Sequence, residues 1–75
     1  MKELLVLLAQ NLVDNPDAVS VTEEEQGGIT TLRLKVAPED MGKVIGKQGR
    51  IAKAIRTIMR AGAIRHGQKV MVEID

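Results

Sequence analysis

Two apolar periods alternate along this chain. From Lys2 to about Val13, Leu4, Leu5, Leu8 and Leu12 recur at helical spacing and share one face. Val6, Leu7 and Val13 spread the apolar character well beyond that stripe, so the helix is expected to be covered on more than one side, by a deep core or by a subunit interface. Asn15-Pro16-Asp17 ends it, because proline cannot continue a helix and disfavours helical backbone in the residue before it. Val19 and Val21 then alternate with Ser20 and Thr22 in a short strand that runs into Glu23-Glu24-Glu25. Gln26-Gly27-Gly28 reads as a hairpin turn. Beyond it, Ile29 to Val36 settles into a period of two. Leu32, Leu34 and Val36 lie on one face, with Arg33 and Lys35 on the other, as in a half-buried antiparallel strand.

The period then returns to that of a helix. Pro38 suits a first helical position, and Glu39 and Asp40 complement the dipole of a short helix expected to run to Ile45 and stop at Gly46. A longer helix starts near Gly49 or Arg50 and reaches about Gly62 or Ile64. On it Ile51, Ala54, Ile55, Ile58 and Gly62 share the expected core face, while Lys53, Arg56 and Arg60 fall opposite. His66-Gly67-Gln68 reads as an exposed turn, and Lys69 to Asp75 alternates once more with Val70, Val72 and Ile74 inward. The order helix, strand, strand, helix, helix, strand predicts an α+β fold over residues 1–75 as a single domain, its three-stranded sheet covered on one face by three helices.

Composition narrows the chemistry. With no cysteine and one histidine, His66, the 75 residues offer no thiolate metal site, no two-histidine centre and no conventional histidine-based triad. No acid–base pair or partnered nucleophile can be assembled, so an enzyme, a cofactor and a small-molecule substrate are not expected. The apolar run Leu4 to Ala9 is far shorter than the ~20 residues of a membrane span and lacks the pattern of a signal peptide, so a cytoplasmic, non-membrane protein is expected. A chain of this size buries only about 60% of its unfolded surface, which invites association. Leu4, Leu7 and Leu8, or Ile58, Ala61 and Ile64, are the candidate interface residues; the same six could equally fill a monomer core.

Charge is divided unevenly. Residues 1–40 carry three basic side chains against eight acidic ones, and residues 41–75 carry eight against two, so a net charge of +1 conceals a −5 half and a +6 half. Such a division points to a localised basic surface with a polyanionic partner, or to a solvated helix face. With no Phe, Tyr or Trp in the chain, any nucleic acid would be held without ring stacking.

The sharpest motif is Gly46-Lys47-Gln48-Gly49, between the two middle helices. Two glycines three apart allow a tight turn into a helix N-terminus, whose unpaired N–H groups and positive dipole end favour phosphate, and Lys47 and Arg50 add mobile positive charge. The tetrad alone fits a plain helix–turn–helix corner as well as a phosphate-binding turn. It is not a nucleotide-binding P-loop: three residues rather than four separate Gly42 from Gly46, and Gln48 stands where Ser or Thr would follow the lysine. The dinucleotide fingerprint is also absent.

Val44-Ile45-Gly46-Lys47-Gln48-Gly49, within Val44 to Arg56 (VIGKQGRIAKAIR), resembles the GXXG core of a KH domain, and the order of elements resembles the type II KH arrangement over essentially the whole chain. At this length the chain is similar to the KhpA (YlqC) family of small bacterial KH proteins. The resemblance implies a single-stranded RNA-binding protein that grips the backbone of about four nucleotides, with a role as RNA chaperone or post-transcriptional regulator. It places Gly46, Lys47, Gln48 and Gly49 on the nucleic-acid backbone. Arg50 and Lys53 lie beside them, and Val44, Ile45, Ile51 and part of the Ile29 to Val36 strand form an aliphatic groove for bases. The larger aliphatic common three residues past the second glycine is replaced by Ala52, which implies a shallower or shifted groove. Implied partners are a second copy of the chain and a larger KhpB (Jag)-type KH protein. Two other readings remain open: a helix-turn-helix binder of duplex DNA, and a protein-interaction adaptor whose GXXG loop is vestigial.

Overall fold

The computed structural model describes residues 1–74; Asp75, expected to end the last strand, lies outside the described residues. The elements are α1 (Lys2–Gln10), β1 (Ser20–Gln26), β2 (Ile29–Lys35), α2 (Met41–Ile45), α3 (Arg50–Arg65) and β3 (Lys69–Ile74), with single 3-10 turns at Pro16–Ala18, Pro38–Asp40 and Lys47–Gly49. This is the α+β arrangement expected, and its order is that of a type II KH fold.

β2 is the central strand of the sheet. It pairs antiparallel with β1 through a hairpin whose two turn residues, Gly27 and Gly28, both have positive φ, the backbone of a type I′ turn. It pairs parallel with β3, as a crossover through α2 and α3 requires. Alternation puts Val21 beside Leu34 and Ile74, and Leu32 beside Val72, all on the helix-covered face. On the open face Arg33 lies between Glu73 (3.0 Å) and Glu24 (3.4 Å), so its charge is neutralised within the sheet. The core joins these strands to Leu5 and Ala9 of α1, Val44 of α2, and Ile55 and Met59 of α3.

Two helices differ from the sequence expectation. α1 ends at Gln10 rather than near Val13, because Asn11 donates its side-chain amide to the Leu7 carbonyl (2.8 Å) and Leu12 folds back onto Ala9 in a tighter turn. Leu12 is thereby carried off the core face, and Leu7 is left 57% exposed. On α3 the buried stripe is Ala52, Ile55, Met59 and Ala63, rotated from the expected one toward the sheet. The small side chains of Ala52 and Ala63 occupy buried positions there, while Ile58 is left 45% exposed. Of the six candidate interface residues, Leu7, Ile58, Ala61 and Ile64 are exposed and Leu4 and Leu8 half-buried, so they are not simply monomer core.

Asp40, expected to complement the helix dipole, is fully buried. Its carboxylate accepts the backbone N–H groups of Asp14 (3.3 Å) and Asn15 (3.0 Å), tying the segment after α1 to the start of α2. Lys43 adds an ion pair at 3.5 Å and reaches Asp14 at 2.6 Å. Burial alone would raise the Asp40 carboxyl, but the two amides and the Lys43 ammonium outweigh it and hold it below the usual carboxylate range. A depressed folded pKa gives stability that is complete at neutral pH and lost as pH falls through that folded value. Asp40→Asn should lower the melting temperature at pH 7 by about 5–10 °C. The gap between variant and wild type should narrow as pH falls below about 4, which calorimetry across pH would measure.

Candidate nucleic-acid interface

The GXXG turn depends on unusual backbone at three of its four residues. Gly46 takes φ 75° and ψ 177°, a region essentially reserved for glycine, and closes α2 by donating to the Gly42 carbonyl at 2.8 Å. A Cβ on Gly46 would stand 2.6 Å from the Ile51 Cγ1, so the first glycine is required by space as well as by φ. Gln48 (φ 58°, ψ 25°) and Gly49 (φ 73°, ψ 16°) are left-handed, and a Cβ on Gly49 would meet nothing within 4 Å. The second glycine therefore answers to φ alone.

This backbone delivers the chain into α3 with Gly49 as N-cap and no side chain capping the first turn. The Arg50 N–H donates to the Lys47 carbonyl and the Gly49 N–H to the Gly46 carbonyl (3.2 Å), and no side chain caps the N–H groups that follow in this 16-residue helix, at the positive end of its dipole. Lys47, Gln48 and Arg50 are exposed around that end, and Lys53 follows one turn along. Among the described residues no carboxylate pairs with Lys47, Arg50, Lys53 or Arg60, whereas Arg33 and Lys43 are committed to internal ion pairs. The asymmetry of charge read from the sequence is thus a set of unneutralised cations gathered at one helix end and along one side of α3.

The expected aliphatic floor is displaced. Val44 is fully buried and supports the turn from beneath; it presents no surface. β2 supplies no floor either, since as the central strand it buries Leu32 and Leu34 completely. Ile45 is 37% exposed, and Ile51 is half-buried against Gly46. Two grooves instead flank α3. On the α1 side a 340 Å³ groove is lined by Leu8, Leu12, Ile51, Ala54 and Ile58, with Arg50 at its rim. On the β3 side a 160 Å³ groove runs between Arg56 and Arg60 and the strand residues Val70, Met71 and Val72. The sequence reading missed β3 as a wall: its alternation was plain, but nothing local marks it as the edge strand beside α3.

A GXXG turn joining two helices that pack against a three-stranded mixed sheet defines a KH-type module. The chain belongs to the KhpA/KhpB KH-domain family, whose model matches residues 2–74. It is similar to the RNA-binding protein KhpA of Clostridium acetobutylicum, 60% identical over 74 residues covering 99% of each chain. It is also similar to those of Listeria monocytogenes and Aquifex aeolicus, each 49% identical over 99% of this chain and 97% and 94% of theirs. Among solved structures, Aquifex aeolicus Era bound to GDP.AlF4- has a TM-score of 0.70 at 20% identity, over 96% of this chain and 28% of that one. Era in complex with MgGDPNP and nucleotides 1506-1542 of 16S ribosomal RNA has a TM-score of 0.58 at 18% identity, with the same coverage. At these identities the likeness to Era concerns the fold alone.

The two glycines should respond unequally to alanine. Gly46→Ala combines clash and forbidden backbone and should cost about 2–4 kcal/mol. Gly49→Ala should cost about 1–2 kcal/mol, the ordinary penalty of a left-handed alanine. Urea unfolding of both variants would check the order.

Proposed function

We propose that this protein binds single-stranded RNA without catalysing a reaction on it. The observation that carries the reading is the N-terminus of α3, without a side-chain cap, reached through the GXXG turn and surrounded by Lys47, Arg50 and Lys53, which have no carboxylate partner among the described residues. Phosphates are held by the amides of the turn and of the first turn of α3, and the exposed cations extend the track. Membership of a family whose relatives are named RNA-binding proteins supports the same ligand. A flexible single strand can follow this turn and lay its unpaired bases in the groove beside it, whereas a duplex keeps its bases stacked and paired and offers only their edges. Cytoplasmic RNA is the ligand pool proposed.

With no aromatic ring to stack bases, one copy binds weakly and with strong salt dependence. We also infer self-association through the apolar groove between α1 and α3, where Leu8, Leu12 and Ile58 are incompletely covered. Two linked copies raise affinity without any new contact to RNA. A larger KhpB-type chain is the other partner that could cover this face. Ile58→Asp should shift sedimentation to that of a monomer; an unchanged profile removes this groove as the interface.

Labelled single-stranded RNA and duplex DNA should be titrated side by side, with the single strand bound more tightly. Lys47→Asp combined with Gln48→Asp should abolish RNA binding while the far-ultraviolet circular dichroism stays native. Preference for the duplex, or unchanged RNA binding by the double variant, would remove the reading. Salt dependence separates the cations further. Lys47→Gln and Lys53→Gln should each reduce the slope of log K against log salt by about 0.7, the contribution of one single-strand phosphate contact. Lys43→Gln should leave that slope as it is, because Lys43 is paired with Asp14 and Asp40.

A further inference from the structure

Resting on the RNA reading above, we propose that Arg56 selects the base lodged between α3 and β3, favouring guanine or cytosine over adenine and uracil. β3 pairs with β2 only, so alternate backbone groups along its outer edge lack a strand partner. The Val72 carbonyl is one of them: it accepts the Arg56 Nε–H at 3.3 Å, which places Arg56 across the mouth of the groove lined by Val70, Met71 and Val72.

That contact fixes one corner of the guanidinium and leaves its two terminal amino groups, coplanar and forked, with no acceptor among the described residues. A fork of donors at fixed spacing is satisfied by two neighbouring acceptors and by little else. Guanine presents O6 beside N7, and cytosine presents O2 beside N3. Adenine sets its N6 donor next to either N1 or N7, and uracil separates its two carbonyls with the N3–H. Val70 and Val72, both half-buried, give the groove an apolar side next to the fork. Lysine at the same place would keep the charge and lose the fork.

The groove begins along the same side of α3 that carries Lys53, so a strand whose phosphates sit at the GXXG turn passes its bases over β3. It does not need the α1 groove, whose lining has Arg50 as its only charged residue. The two sides of α3 therefore divide their work, one reading nucleic acid and the other meeting protein.

The test is a fluorescence-anisotropy titration of four RNA heptamers, uridine throughout except for A, C, G or U at the centre, at one fixed salt concentration. Wild-type protein should bind the C- or G-centred heptamer at least about fivefold more tightly than the A- and U-centred ones. Arg56→Lys should bring that ratio to within about twofold while its melting curve stays that of the wild type, a loss that a merely structural arginine would not produce. Equal affinities for all four heptamers, or a wild-type ratio retained in Arg56→Lys, overturn the assignment to Arg56 and leave the RNA reading standing. Failure of wild type to bind any heptamer overturns both.

Discussion

The structure depends on a backbone that a side chain at Gly46 would strain. Its φ and ψ lie where only glycine is at ease, and the Ile51 side chain fills the place a Cβ would take. Ile51 belongs to α3 and Gly46 closes α2, so this one approach sets the angle at which the two helices meet. Everything chemically active follows from it. The turn is closed by the Gly49 N–H on the Gly46 carbonyl, α3 begins without a side-chain cap, and Lys47 and Arg50 are carried to the mouth of a positive dipole. Behind the turn, Val44 anchors α2 in the core, and Asp40 clamps its start to the segment after α1.

α3 presents three distinct faces. Ala52, Ile55, Met59 and Ala63 bury against the sheet and α1. Lys53, Arg56 and Arg60 are exposed, the two arginines lining the groove along β3, and Ile51, Ala54 and Ile58 line the apolar groove beside α1. In a domain this small an apolar arc left open lowers stability on its own, and covering it with another chain recovers that loss. The same geometry sets the apolar groove and the Arg56–Arg60 groove on different sides of α3.

Much of the fold was legible because each element carries a local signal. The hairpin follows from Gly27-Gly28 between alternating strands, and the α2–α3 corner from the GXXG tetrad. What local pattern could not supply was the phase and position of elements against one another. The most apolar arc of α3 is not its buried arc, because the sheet accepts the alanine side and leaves Ile58 outside. The inward positions of β2 and β3 alternate alike in sequence, yet one strand is central and buried and the other forms an edge; that depends on the crossover, not on either segment. Hence the local pattern pointed to β2, while the groove beside Arg56 and Arg60 is lined by β3. The clamp made by Asp40 was not legible for a related reason: an acid in a first helical turn already has a use at the dipole, and its partners at Asp14 and Asn15 lie some 25 residues away.

The central claim is that backbone amides of the GXXG turn and the start of α3 hold RNA phosphates. Two-dimensional ¹H–¹⁵N spectra recorded during titration with a single-stranded RNA heptamer test it at the atoms concerned. The account predicts saturable shifts concentrated on the amides from Lys47 to Lys53, with smaller ones along β3 near Val72. Shifts concentrated instead on α1, or on the open face of the sheet around Arg33, would contradict it.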